Sequence, residues 1–238
     1  METLALRTLW SECFGNEDNW IDTFLGTAFD PAHISTLNRQ GRLAAALCWM
    51  DCFCDGRKLA YLYAIATAPE YRHQGLCREL MERTHRRLAD LDYAGAILVP
   101  AGGDLRKMYA KMGYVNFGGV REIAVQAGQA RSLRQITAEA YAALRRVYLP
   151  EGGVIQENGA VEYLAAGAEL YAGQDFLLAM SGNLGLELLG NSEAAPGILG
   201  ALGLTDGRYR ILGEEPFAMY RSMTKDEWTP GYFGLAFE

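Results

Sequence analysis

Arg72, His73, Gln74, Gly75, Leu76, Cys77 and Arg78 form a run with polar residues before a glycine and the start of a helical pattern after it. The run joins a strand-like segment, residues 59–67, to a segment with helical spacing, residues 76–91. The first backbone N–H groups of a helix have no intrahelical partner, and the helix dipole favours negative charge there. A glycine-bearing turn at that point is a natural cradle for a diphosphate. No lysine of a nucleotide-hydrolysing phosphate loop follows Gly75, and Gly102-Gly103 is too short for a dinucleotide fingerprint. The residues therefore suit the holding of a diphosphate rather than its hydrolysis.

Other chemistry-bearing residues are fewer. Cys48, Cys52 and Cys54 invite a metal reading. Residues 44–54, however, read as one strand, so its even-numbered positions share a face with Met50. Free cysteine commonly behaves as a small buried hydrophobe, and a fourth ligand at zinc spacing is not evident. Cys13 and Cys77 bring the cysteines to five, and an odd count without an export signal argues for free thiols. His33 and His85 read as structural or exposed, and no two histidines have metal-binding spacing.

The elements that must position the loop follow from periodicity. Leu6, Leu9, Trp10, Cys13 and Phe14 fall on one helical face, and Asn19 to Ala28 supports a second short helix ending before Pro31. Residues 33–38 and 43–54 read as strands around Arg39-Gln40-Gly41, and Asp55-Gly56 signals a hairpin into 59–67. After the loop, Leu76, Leu80, Met81, Thr84, Leu88 and Leu91 mark a helix. Residues 94–99 give a short strand, and a helix from about Asp104 to Lys111 ends at Gly113. Residues 114–117 and 120–125 read as closing strands. This mixture predicts an α+β fold, a mixed, mostly antiparallel sheet flanked by helices.

The loop, this order of elements and the run Tyr109-Ala-Lys-Met-Gly113-Tyr114 together resemble the GNAT N-acetyltransferase superfamily. Arg72 and Gly75 match the R-x-x-G-x-G/A acyl-CoA loop, with Cys77 in the place of its last small residue. The resemblance covers residues 1–125. It implies acetyl-CoA as co-substrate, with its diphosphate on the amides of His73, Gln74, Gly75, Leu76, Cys77 and Arg78. It implies pantetheine pairing along the exposed strand edge at Ile65, Ala66 and Thr67, whose backbone could also stabilise an oxyanion. It further implies that Tyr109 protonates the departing thiolate, a task that suits a phenol with a pKa of roughly 10. The plainer reading of Tyr109 is a helix tyrosine packed on the sheet. The acceptor would be a primary amine on a small molecule, a peptide or a protein, attacking directly in a ternary complex. Asp51, Glu122 and the terminal carboxylate of Glu238 are the candidates to take the amine proton, with nothing to choose among them. The alternative from another class is an acyl-CoA-binding sensor without turnover.

Residues 126–238 are expected to form a second, smaller α+β domain. A linker at 126–131 precedes helices near 137–148 and 161–170, a strand pair at 176–180 and 184–189, a helix at 194–202, and a strand pair at 209–212 and 217–221. The order repeats the first half in outline, which suggests a degenerate GNAT-like unit completing the substrate cleft. The aromatic tail, residues 228–237, is expected to pack back onto the protein. The net charge of −7 is divided as −1 over residues 1–125 and −6 over 126–238, with no basic patch for nucleic acid. No apolar stretch is long enough for a membrane helix, and the acidic start is unlike a secretory signal, so a soluble cytoplasmic protein is expected. Oligomeric state is left open.

Overall fold

Both hairpin turns predicted in the first half form with the geometry their residues favour. Gln40 and Gly41 have φ of 51° and 78°, and Asp55 and Gly56 have φ of 50° and 75°. Positive φ at both central positions matches the right-handed twist of the flanking strands. These turns join β1 (Ile34–Arg39), β2 (Arg42–Cys54) and β3 (Arg57–Thr67) into an antiparallel meander. The computed structural model describes residues 2–15 and 19–237. The terminal carboxylate of Glu238 lies outside the described residues.

Before the meander stand α1 (Glu2–Phe14) and α2 (Trp20–Thr27); after it come α3 (Leu76–Asp90), β4 (Gly95–Leu98), α4 (Gly103–Ala110) and β5 (Val115–Gln126). The remaining elements are β6 (Arg134–Gln135), α5 (Ala138–Tyr148), β7 (Ile155–Gln156), α6 (Gly159–Gly167), β8 (Glu169–Ala172), β9 (Phe176–Ser181), β10 (Leu184–Gly190), α7 (Ala195–Leu202), β11 (Asp206–Leu212) and β12 (Glu215–Ser222). The fold is α+β, a large and mostly antiparallel sheet flanked by helices.

β2 is buried almost continuously because both its faces are covered. Ala46, Cys48, Met50, Cys52 and Cys54 enter the core cluster under α1, α2, α5 and α6. Ala45, Leu47 and Trp49 enter the cluster under α3 and α4. The cysteines thus share a face as expected. Cys52 and Cys54 direct their sulfurs at the carbonyls of Leu59 and Gly152, and burial pushes both thiols up, Cys54 to about 12.

The closing strands differ from expectation in two ways. Residues 115–126 form one strand instead of two, and 206–212 and 215–222 do not pair with each other along their length. β12 instead inserts between β4 and β5, opposite Leu98 on one side and Asn116 on the other through Met219. β11 pairs with the second part of β5, from Val120 to Gln126. The sheet order is β1-β2-β3-β4-β12-β5-β11-β10-β9-β8-β6, so the expected division at residue 125 falls within one continuous sheet. The core is shared as well: Trp10, Phe24 and Tyr61 lie in one cluster with Tyr141, Leu177, Phe233 and Phe237. Gly118 permits this closure. Its φ is +71°, and a β-carbon there would come within 2.9 Å of the Phe233 carbonyl oxygen in the tail. The tail packs back as predicted, with Tyr232, Phe233 and Leu235 buried.

Candidate active site

β3 and β4 pair in parallel only from Leu59–Gly95 to Tyr61–Ile97. β4 stops at Leu98, while β3 continues to Thr67 without it. A gap therefore opens between the strand before the loop and the strand after α3. On its β3 side, Ala66 opposes Ala46 and the Ala68 N–H donates to the Ala44 carbonyl. The alternation of an antiparallel ladder then turns the backbone groups of Ile65 and Thr67 towards the gap.

A bulge shapes this edge. The register slips between Ala46 and Cys48, and Ala64 adopts φ of +51°. A non-glycine residue there costs energy that its surroundings must offset. Trp10, fully buried on α1, donates its indole N–H to the Ala64 carbonyl at 3.2 Å. One turn on, the Cys13 thiol donates to the Thr67 carbonyl at 3.4 Å. Helix α1 thus holds both ends of the exposed edge, a role that the helical pattern of Trp10 and Cys13 read only as packing.

The loop leaves the end of β3 through Pro69–Tyr71. The Arg72 Nε donates back to the Thr67 carbonyl at 3.1 Å, which ties loop to strand. His73 has φ of +62° and Gly75 of +81°, so the chain reverses twice before α3 begins at Leu76. Left-handed residues in such a turn aim successive N–H groups to one side, where an anion can sit. His73, Gln74, Gly75 and Arg78 are exposed, and the Gln74 amide donates back to the Glu70 carbonyl at 3.0 Å. A β-carbon on Gly75 would meet nothing within 4 Å, so the glycine serves the backbone conformation and leaves its front open. Cys77 is half-buried against the core cluster containing Leu76, Leu80 and Tyr109, and burial raises its pKa.

Tyr109 lies on α4 in that same cluster, its ring 5.9 Å from Tyr114. Burial, with Cys77 second, pushes the phenol above its ordinary value, which keeps it protonated. Helix α4 is set by Arg106, one turn earlier. Its guanidinium donates to Asn116 Oδ1 and to the carbonyls of Pro216 and Phe217 on β12. Nothing in the sequence pattern marks Arg106, because two of its three partners lie 110 and 111 positions away.

Of the proposed bases, Asp51 opposes Ala60 on β3. That places it seven residues from Thr67, roughly 20 Å along the strand. It binds Lys58 at 3.0 Å and accepts a hydrogen bond from Tyr93. Glu122 is exposed on β5 and pairs with Arg208 at 3.2 Å. The structure brings neither to the gap.

His85, behind Tyr109, stands 2.8 Å from the Tyr114 hydroxyl through Nε2, while its buried Nδ1 has no partner. Burial, then Arg221, lowers its pKa to about 4. The unfolded chain takes up a proton below about pH 6.5, whereas the folded one does so only near 4. Stability should therefore fall as pH drops between those values, by up to about 3 kcal/mol from this residue. Urea titrations across that range should show the slope, and His85→Gln should flatten it. Equal slopes would mean that His85 is not the linked group.

Residues 2–117 match the family model of the acetyltransferase (GNAT) domain. Over these residues the chain is similar to that domain. The whole chain shares its fold with several solved structures at low identity. A GCN5-related N-acetyltransferase from Kribbella flavida superposes with a TM-score of 0.67 at 18% identity, over 93% of this chain and 68% of that one. Eis1 from Mycobacterium abscessus gives 0.69 at 13%, over 93% and 71%. A putative acetyltransferase from Pyrococcus horikoshii gives 0.67 at 11%, over 98% and 90%. A search of curated proteins finds no match. Among the described residues no helix is long and apolar enough to cross a membrane.

Proposed function

We propose that the GNAT domain transfers an acetyl group from acetyl-CoA to a primary amine by direct attack in a ternary complex. The observation that carries this is the open turn at the start of α3 beside the gap between β3 and β4. The turn offers amides to a diphosphate, and the edge offers the backbone groups of Ile65 and the N–H of Thr67 to an extended amide chain. In the transfer the amine nitrogen bonds to the acyl carbon, the carbon–sulfur bond breaks, the sulfur gains a proton and the amine loses one. Tyr109 supplies the proton to sulfur, and the backbone N–H groups of the edge bind the developing oxyanion. Arg72 holds the loop to the strand, and His73 to Arg78 seat the diphosphate. Residues 126–238 complete the cleft by supplying β12, which forms its far wall, and the tail. The five free thiols suit a reducing compartment such as the cytoplasm.

Thiol release from acetyl-CoA, measured against a panel of amines, tests the reading. Turnover with at least one amine is expected. Tight CoA binding with no thiol release from any amine would favour an acyl-CoA-binding module without turnover. Gly75→Glu should weaken CoA binding about a hundredfold or more, because left-handed strain and like-charge repulsion act together. Calorimetry showing undiminished affinity in the folded variant would remove the turn from the site.

A further inference from the structure

Strand β1 has an open outer edge. It begins the strand order, so among the described residues no strand pairs with it on that side. The Trp49 N–H donates to the His33 carbonyl at 3.1 Å, and Ile34, Ser35 and Thr36 stand opposite Cys48, Leu47 and Ala46. The alternation of an antiparallel ladder turns the backbone groups of Ile34 and Thr36 outwards. Arg87 on α3 takes two carbonyls at the start of this edge, those of Ala32 and Ile34. Beside the edge a groove of about 410 Å³, open to solvent, runs between β1 and α3. Ile34, Ser35 and Thr36 line one wall, and Leu80, Arg83 and Arg87 the other, so its lining holds two arginines and no acid. Glu79 binds both Arg39 and Arg83, at 2.5 and 2.6 Å, so one acid is shared between two of the cations on this side.

We infer that this edge docks an extended acidic segment of a partner protein as an added strand, an interaction that stands independently of acetyl transfer. An unpaired strand edge supplies main-chain hydrogen bonds to any extended chain, and the side chains flanking it choose which one. Successive side chains of an added strand point to opposite faces, so every second one lies on the α3 side, beside Arg83 and Arg87. Carboxylates at those alternate positions suit guanidinium groups, which present several donors in one plane. Arg87 is held in place by its carbonyl partners and by stacking 5.0 Å over the Trp49 ring. A second copy of this chain is a poorer occupant. Antiparallel pairing of two β1 edges about a two-fold axis puts both α3 helices on one face, where their arginines meet like charge. A basic segment meets the same repulsion.

Fluorescence anisotropy with short labelled peptides on the full chain tests this. One peptide alternates glutamate with valine, the other lysine with valine. The glutamate peptide should bind about tenfold tighter or more and lose that margin in high salt. Its binding should slow amide exchange at Thr36, whose outward N–H gains a partner. Thr36→Pro deletes that N–H and leaves the ladder to β2 intact, as an edge strand allows. Arg83→Glu reverses a charge on the exposed side of α3. Each should weaken the glutamate peptide about fivefold or more, and the helix variant keeps the test open if Thr36→Pro does not fold. Failure of the glutamate peptide to bind, equal binding of the lysine peptide, or full affinity in the folded variants overturns the inference. Loss in Arg83→Glu but not in folded Thr36→Pro also overturns it, because charge alone would then hold the peptide. Sedimentation showing a wild-type dimer that Thr36→Pro dissolves would give the edge to a second copy and overturn it too.

Discussion

Replacing Tyr109 with Phe is expected to lower kcat for acetyl transfer about a hundredfold or more while CoA affinity stays within a factor of about two. The ring remains packed against Tyr114 and the start of α3, so the site keeps its shape. On the proposed mechanism, only the proton donor for the departing sulfur is lost. Because burial pushes this phenol up, the wild-type enzyme should keep its acid form to at least about pH 10. Single-turnover kinetics with a good acceptor separate this step from product release. An unchanged rate would return Tyr109 to the role of a packed helix tyrosine.

Glu187→Ala should destabilise the protein by about 3–5 kcal/mol, the largest effect on stability expected from one substitution here. Glu187 on β10 and Arg145 on α5 are both buried, 0% and 1% exposed. Their contact is bidentate, at 2.7 and 2.9 Å, and the remaining Arg145 nitrogen donates to the Val154 carbonyl at 2.9 Å. The phenols of Tyr141 and Tyr232 also donate to this carboxylate, each at 3.2 Å. Burial works against the Arg145 charge, but Glu187 more than offsets it and raises the pKa. Removing the carboxylate leaves a cation in an apolar surrounding with no counter-charge. Urea denaturation of Glu187→Ala and of the double variant Arg145→Met, Glu187→Leu separates pairing from packing. The double variant should recover most of the loss, since two apolar groups need no partner. If both lose stability equally, the pair is not what the site depends on. Tyr232 belongs to the tail, so Glu187→Ala should also loosen the aromatic residues that follow it, measurable as faster amide exchange at residues 232–237.

These two residues differ in how far a sequence can announce them. Tyr109 belongs to a local run in which a helix ends at a glycine, and the loop from Arg72 to Arg78 likewise lies within a few consecutive residues. Left-handed backbone at Gly75, type I′ turns at Gln40-Gly41 and Asp55-Gly56, and the buried stripe of α3 all follow from neighbours in the chain. The amino-acid order by itself therefore determined the first meander, the glycine turn before α3, the helix that carries Tyr109 and the one-sided placement of the cysteines.

Pairing between distant segments leaves no such local mark. β12 has the composition of an ordinary strand, and nothing in residues 215–222 says that its partners are β4 and β5 rather than β11 beside it in sequence. The apolar tail that follows β12 packs over Gly118 and Tyr61, joining the end of the chain to its first half. Trp10 reads only as a packing residue in the helical pattern, and Arg106 carries no mark, because their bonds reach 54 and 110 positions along the chain. Arg145 and Glu187 stand 42 positions apart, and only the closing of two layers over them made them a buried pair. Asp51 is the converse case: its strand position suggested the site, and the register placed it at the far end of the sheet. Tertiary structure alone decided which backbone edges stay open and which carbonyls are taken. The physical reason is that burial and register are set by what covers each face, and those covering elements come from both ends of the chain.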